Sequence, residues 1–252
     1  MMGFTADTIN LTIVLMGALA AGFVSGFAGF GTALISAGFW FHVLPAAMVP
    51  PLVILAAIGG QLVGLVTVRK AFDWGRATPF LIGGAAGVPV GVWALSVASP
   101  GALRLSVGLF LMGYALYQLV FGLAKFSIGR WGGRPADAAI GIGGGILGGF
   151  AGLSGPLPLV WLQLRGGPSD GQRAIYQPFN LIVLSLAGVV MALGGQITRP
   201  VLLAAALCLP VTLVGAWIGA RLYTGVSQET FRRVVLVLLL FSGVVLLAQT
   251  VG

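Results

Sequence analysis

Long apolar runs constrain the fold of this chain more than any other feature. A helix needs about 20 apolar residues to cross a hydrocarbon core of about 30 Å, and eight runs reach or exceed that length. Their continuous Leu, Ala, Gly and Val content is typical of helices rather than of the short alternating strands of a membrane barrel. The sequence therefore predicts an all-α polytopic membrane protein with no soluble domain. The runs cover residues 9–44, 47–68, 78–98, 103–124, 138–164, 174–195, 200–220 and 231–250.

The sparse charges exclude several classes of function. Only 7% of the residues are charged, against about 25% in a soluble domain. The net charge of +8 comes from 13 Lys and Arg that are scattered between the apolar runs, so they indicate membrane orientation rather than nucleic-acid binding. The single Cys208 and the single His42 exclude a disulfide scaffold and a multi-histidine metal site. We expect no cofactor.

An internal repeat divides the chain into two halves. The motif Gly-Phe-Ala-Gly at Gly26–Gly29 returns 123 positions later at Gly149–Gly152. Further matches in the same order indicate two fused halves, residues 1–128 and 129–252, within a single transmembrane domain. These matches are Pro45 with Pro168, Gly91–Trp93 with Gly215–Trp217, and Leu103–Arg104 with Phe231–Arg232.

The positive charges predict how the halves cross the membrane. Four single crossings per half would place seven Lys and Arg on one side of the membrane and six on the other. Such an even distribution does not indicate which side is cytoplasmic. If the first run of each half is a pair of half-helices, eleven lie on one side and only Arg104 and Arg199 on the other. Such an excess is typical of the cytoplasmic side. We therefore expect two inverted repeats of about five helical elements each, with both termini on the non-cytoplasmic face of the cell's inner membrane.

Both Gly-Phe-Ala-Gly motifs interrupt runs that are too long for one straight span, at positions of poor helix propensity. A helix that begins inside the bilayer exposes backbone N–H groups with partial positive charge, which suits an anion. Discontinuous helices at matching positions are typical of a transporter site near the midplane. Alternatively, the glycines only allow close helix contact, although Pro156 and Pro158 favour a helix start. The candidate binding residues are Gly29, Gly31, Thr32, Gly152, Ser154 and Gly155.

With these halves, breaks and glycine-bearing helices, the chain resembles the TauE/SafE family of sulfite exporters, also called TSUP. The resemblance covers almost the entire chain. It implies a transporter of small sulfur-containing anions such as sulfite, sulfoacetate or related organosulfonates, and sometimes of other small organic anions.

Polar residues of the second half extend the candidate site. Arg173, Gln177 and Asn180 share one helix face by their spacing, and a guanidinium group matches sulfonate or carboxylate oxygens. The alternatives are an orientation charge for Arg173 and interhelical hydrogen bonds for the two amides. Gln61 is the main buried amide expected in the first half and is a weaker candidate. All five acids fall at the edges of apolar runs, so an anion is a better substrate than a cation.

Three phenylalanines flank the breaks and are candidate gates: Phe27, Phe30 and Phe150. Aromatic packing is the alternative explanation. We expect a small anion and membrane lipid as partners, and a homodimer is possible, although no feature of the sequence supports it.

Two other classes of function remain as alternatives. An anion channel would show a polar stripe along a whole helix, whereas polar residues cluster only near the breaks. Gly152–Gly155 also matches the GxSG motif of rhomboid-type intramembrane proteases, with Ser154 as nucleophile. Because no histidine follows Ser154 and His42 precedes it, the base that this serine would need is missing. We therefore expect a transporter and not an enzyme.

Overall fold

Ten α-helices form the regular structure of the part of the chain that the computed structural model describes, residues 2–28, 31–68, 73–121, 132–166, 169–222 and 228–251. A 3-10 turn at Ala46–Met48 precedes the third helix. The prediction of an all-helical protein is thus confirmed. The helices are α1 Met2–Ala28, α2 Thr32–Val43, α3 Val49–Val68, α4 Trp74–Val97, α5 Pro100–Val120, α6 Gly133–Ala151, α7 Pro156–Arg165, α8 Ser169–Leu193, α9 Arg199–Leu222 and α10 Gln228–Val251.

Polar caps start some of the helices ahead of the apolar runs. Asp73 accepts a hydrogen bond from the Arg76 N–H at 3.0 Å and begins α4 four residues before the run at residue 78. Ser99 accepts from the Ala102 N–H at 3.2 Å, with Pro100 as the first residue of α5. Such caps satisfy backbone donors that no intrahelical carbonyl can reach. Apolar content alone therefore predicts these helices but places their first turn too late.

Five helices of the described residues are long and apolar enough to cross a membrane, which makes the chain a multi-pass membrane protein. Large apolar side chains face outward, as hydrocarbon surroundings require, including Trp93 and Leu193, which are 65% and 84% exposed. The five spans are Ile9–Phe27, Trp74–Val97, Pro100–Val120, Gly171–Leu193 and Arg199–Leu222. Shorter apolar stretches lie at Thr32–Val43, Ala46–Leu62 and Leu239–Ala248.

The first run of each half is interrupted where the glycine motifs predict. Residues 9–44 divide into α1 and α2, and residues 138–164 divide into α6 and α7. In both pairs the short helix lies back along the long one. The Trp40 indole N–H of α2 donates to the Val14 carbonyl of α1 at 3.0 Å. Trp161 of α7 likewise donates to Asp137 of α6 at 2.8 Å. Each pair is therefore a helical hairpin.

Glycines bring two pairs of helices into backbone contact. Helix α1 packs on α9, and α4 packs on α6. A Cβ on Gly26 would clash with the Ala216 carbonyl of α9, and one on Gly145 would clash with the Gly84 carbonyl of α4. Small residues allow this approach, which gives membrane helices their packing energy without a hydrophobic driving force.

Helices α3 and α8 pack against each other beside both breaks. Val53 and Ile54 of α3 are fully buried, as is Phe179 of α8. A Cβ on Gly152 at the second break would lie 2.6 Å from a Val53 methyl. The backbone of the second break and the described start of α2 beside the first are thus surrounded by protein rather than lipid, which irregular backbone in a bilayer requires.

Replacing Gly26 by Ala should destabilise the fold. The methyl group would meet the Ala216 carbonyl, and the two backbones must separate to admit it. Overpacking costs about 1–3 kcal/mol, so we expect the apparent Tm of the detergent-purified protein to fall by about 5 °C. Gly113→Ala of α5 is the control, because a Cβ there meets no atom within 4 Å. A Gly26→Ala protein that melts with the unmodified protein would contradict this packing.

Candidate anion site

The second break ends α6 with a glycine cap. Gly152 adopts φ +74°, a left-handed conformation that favours glycine. Its N–H donates to the Gly148 carbonyl at 2.9 Å, and the Leu153 N–H donates to the Leu147 carbonyl at 3.1 Å. These bonds satisfy carbonyl groups at the end of α6, so the helix can stop inside the protein at little cost.

Helix α7 begins with fewer free donors than an ordinary helix. The first four N–H groups of a helix have no partner within it, but Pro156 and Pro158 carry no N–H at all. The Ser154 hydroxyl donates to Asn180 Oδ1 of α8 at 3.0 Å. A Cβ on Gly155 would lie 2.9 Å from Asn180 Nδ2, so the missing side chain lets this amide approach the break.

The first break leaves more donors. Gly31 adopts φ +100° directly before α2. The first bond of α2 runs from the Ile35 N–H to the Gly31 carbonyl at 3.0 Å. The N–H groups of Thr32, Ala33 and Leu34 therefore have no acceptor within the helix, and Gly31 has no side chain to cap them. This end of α2 carries the partial positive charge of a helix N-terminus.

A half-open cavity lies between the two breaks, and the space inside it and at its mouth amounts to about 300 Å³. Its polar lining residues are Thr32, Gln61, Ser154 and Asn180, and none of the lining side chains that the structure describes is charged. The starts of both half-helices therefore converge on one small, half-open space. The other lining residues are Gly31, Ala33, Leu34, Ala57, Gly152, Leu153, Gly155, Pro156 and Leu184.

Most of the predicted break residues meet at this cavity. Gln61 of α3 lines it as well, so the weaker sequence candidate has the same placement as the stronger ones. Gly29 lies outside the described residues. The predicted residues in the lining are Gly31, Thr32, Gly152, Ser154, Gly155 and Asn180.

Arg173 and Gln177 lie outside the cavity lining. Arg173 Nη2 donates to the Phe27 carbonyl at 3.0 Å, in the last turn of α1. A cation at a helix C-terminus interacts favourably with the helix dipole. Gln177 is 3% exposed, and its Oε1 has no hydrogen-bond partner among the described residues. Contact of these two side chains with substrate stays a prediction.

Phe27 and Phe150, two of the three candidate gates, also lie outside the lining. Phe27 is buried and stacks on Phe23, with ring centroids 6.3 Å apart. Phe150 is half-buried and packs against the core. Phe30 lies outside the described residues. Gating by these rings stays a prediction.

A polar cluster holds α7 against α6, and sequence reasoning missed it. Arg165 Nη1 lies 2.9 Å from the carboxylate of Asp137, which also accepts the Trp161 indole bond. Arg165 Nη2 donates to the Gly133 carbonyl at 3.0 Å. An acid and a base at opposite edges of one broken run are the signal that could have revealed this pair.

The arrangement does not fit proteolysis. The partner of the Ser154 hydroxyl is the Asn180 amide oxygen, and an amide cannot serve as the base that a serine nucleophile needs. Among the residues with described placement, no three His, Cys, Asp or Glu side chains come together as metal ligands.

Comparison with known proteins agrees with this geometry. The family profile of the sulfite exporter TauE/SafE matches residues 14–246. The chain is also 28% identical over 229 residues to a protein of Cupriavidus necator described as probable sulfite/organosulfonate exporter TauE. That alignment covers 89% of this chain and 88% of the relative. No solved structure is significantly similar to the chain.

The match spans both hairpins and nearly all of the helices, far more than half of the chain. The chain therefore belongs to the sulfite exporter TauE/SafE family, and it is a multi-pass membrane transporter rather than an enzyme.

Proposed function

We propose that this chain carries small sulfur-containing anions, such as sulfite, sulfoacetate or related organosulfonates, across the cell's inner membrane by alternating access. The cavity between the two breaks carries this proposal, because its lining offers neutral donors and no carboxylate. The description of the Cupriavidus necator relative as a probable sulfite/organosulfonate exporter supports the choice of substrate.

The charge distribution around the cavity supports an anion over a cation. Asp73 caps α4 and Asp137 pairs with Arg165, so both of these acids are engaged at helix ends. An anion in the cavity would meet backbone N–H groups and hydroxyl groups rather than a fixed full charge. Neutral donors bind an anion without an ion pair, which leaves the anion free to dissociate on either side of the membrane.

The inverted repeat is part of this proposal, and the helix contacts support it. The 123-residue offset relates α1 to α6, and a similar offset relates α4 to α9. Helix α1 packs on α9 in the same way that α6 packs on α4. Glycines mediate both crossings, among them Gly91 of α4 and Gly215 and Gly219 of α9. Each hairpin thus packs tightly against a helix of the other half, and we propose that these hairpin-plus-helix units rock around the cavity.

The positive charges support an orientation with both termini outside the cytoplasm. The hairpin arrangement collects eleven Lys and Arg on one side and leaves Arg104 and Arg199 on the other. Arg104 lies in the first turns of α5 and Arg199 begins α9, which puts both at helix ends of the sparsely charged side.

Reporter fusions at the C-terminus test this orientation. Alkaline phosphatase is active only outside the cytoplasm, and we expect its fusion to be active. Green fluorescent protein exported in unfolded form stays dark, and we expect its fusion to be dark. A fluorescent fusion together with an inactive phosphatase fusion would reverse the orientation and remove the charge argument.

Transport in proteoliposomes tests the function. We expect the unmodified protein to exchange external sulfite for internal labelled sulfite. Gly155→Ala should slow this exchange at least about tenfold, because the new methyl displaces the Asn180 amide from the cavity and a hydrogen bond to a charged group contributes about 1.5–3 kcal/mol. Gly101→Ala is the matched control, since a Cβ there has open space.

Two results would contradict the proposal. Exchange that Gly155→Ala leaves unchanged would show that the anion does not pass the second break. Large unitary currents in the same membranes would indicate a channel, because alternating access moves only a few ions per conformational cycle.

A further inference from the structure

Two buried hydroxyl groups lie beside the first break without a hydrogen-bond partner. Ser25 belongs to the last turn of α1, and Thr32 begins α2. Both residues are 2% exposed, and neither Ser25 Oγ nor Thr32 Oγ1 has a partner among the described residues. Buried polar groups are nearly always satisfied, so two orphaned hydroxyls side by side indicate a group that binds between them.

Gly60 of α3 leaves room in front of this pair. A Cβ on Gly60 would lie 3.3 Å from Ser25 Oγ and 3.5 Å from Thr32 Oγ1, which are its nearest described neighbours outside the helix's own backbone. Because glycine lacks this atom, a bound atom can approach the Gly60 backbone at van der Waals distance beside the two hydroxyls. Thr32 and the next residue after Gly60, Gln61, also line the cavity, so this space adjoins it.

Hydroxyl groups can bind an anion as donors or a cation as acceptors, and the surroundings favour the anion. The N–H groups at the start of α2 add donors on the same side. A cation at this break would need oxygen ligands from the end of α1. The Phe27 carbonyl there already accepts a hydrogen bond from Arg173. None of the cavity-lining side chains carries a negative charge.

The second break offers less to an anion. The hydroxyl proton of Ser154 is already donated to Asn180, and Pro156 and Pro158 supply no N–H groups. The two ends of the cavity are therefore unequal: among the described residues, the unpartnered hydroxyls and the open helix start lie at the first break, while the second break offers mainly the Asn180 side-chain amide.

We propose that Ser25, Thr32 and Gly60 form an oxyanion subsite that takes one oxygen of the sulfite or sulfonate head group. The remainder of the substrate then extends toward Ser154 and Asn180. This inference rests on the proposed function, adds Ser25 and Gly60 to the substrate-binding residues, and gives the bound anion a fixed orientation.

Isothermal titration of the purified full-length protein with sulfite and with methanesulfonate tests the subsite. Ser25→Ala and Thr32→Val should each raise Kd about tenfold, because each removes one hydrogen bond to a charged oxygen. Gly60→Ala should raise Kd at least about tenfold, since its methyl group would project into the space through which that oxygen contacts the two hydroxyls. Thr32→Ser keeps the hydroxyl and should bind within about threefold of the unmodified protein.

Matched variants separate binding from folding. The Gly60→Ala methyl meets no backbone atom among its nearest neighbours, and alanine favours a helix over glycine, so the apparent Tm without ligand should not fall. Gly113→Ala should bind as the unmodified protein does. Ser154→Ala should raise Kd less than Ser25→Ala, because its hydroxyl is already engaged with Asn180.

Three results would overturn the subsite. If Ser25→Ala, Thr32→Val and Gly60→Ala all bind with unchanged Kd while Gly155→Ala still slows exchange, the space holds a water molecule only and the proposed function stands. If affinity requires sodium and Ser25→Ala removes that requirement, the pair binds a cation. If the unmodified protein binds neither anion, the subsite and the proposed function both fall.

Discussion

Backbone hydrogen bonding in hydrocarbon is the constraint on which this structure depends. A helix that stops inside a bilayer leaves carbonyl groups at one end and N–H groups at the next, and lipid cannot satisfy either. Carbonyl groups at both ends have partners within the protein, from the Gly152 cap on α6 and from Arg173 on the Phe27 carbonyl of α1. The N–H end of α2 is not satisfied in this way. It faces the cavity, where a bound anion can complete the bonding.

The two hairpins solve the same problem with different residues. In the first, Trp40 bonds to the Val14 carbonyl; in the second, Trp161 bonds to Asp137, which lies 123 positions after Val14. The second hairpin adds the Arg165 ion pair and begins α7 with prolines. Among the described residues, the second hairpin is therefore held by an ion pair and begins its short helix with fewer N–H groups, while the first carries the unpartnered hydroxyls. A duplicated architecture thus gives a chemically polarised cavity.

Sequence reasoning reached the broken helices because Gly-Phe-Ala-Gly and the charge distribution are local and countable. It could not predict that α1 packs on α9, since that contact depends on how closely glycine backbones approach across the chain. Helical spacing placed Arg173, Gln177 and Asn180 on one face, yet Asn180 alone of the three lines the cavity. Which turn of α8 reaches the cavity depends on the positions of the two breaks, and spacing along one helix does not give these positions. The pairing of Asp137 with Arg165 was missed, although it follows from the predicted half-helix pair once α7 folds back along α6 and brings the two edges of the broken run together.

The central claim is that the breaks form an anion site, and a thermal-shift screen of the purified protein tests it most directly. A ligand that binds only the folded state raises apparent stability, by about 2.7 kcal/mol at a hundred times its Kd. Sulfite and small sulfonates should raise the apparent Tm by several degrees, whereas sodium and potassium at matched ionic strength should not. A shift with cations alone, and none with sulfite, sulfonates, carboxylates or phosphate, would contradict the account.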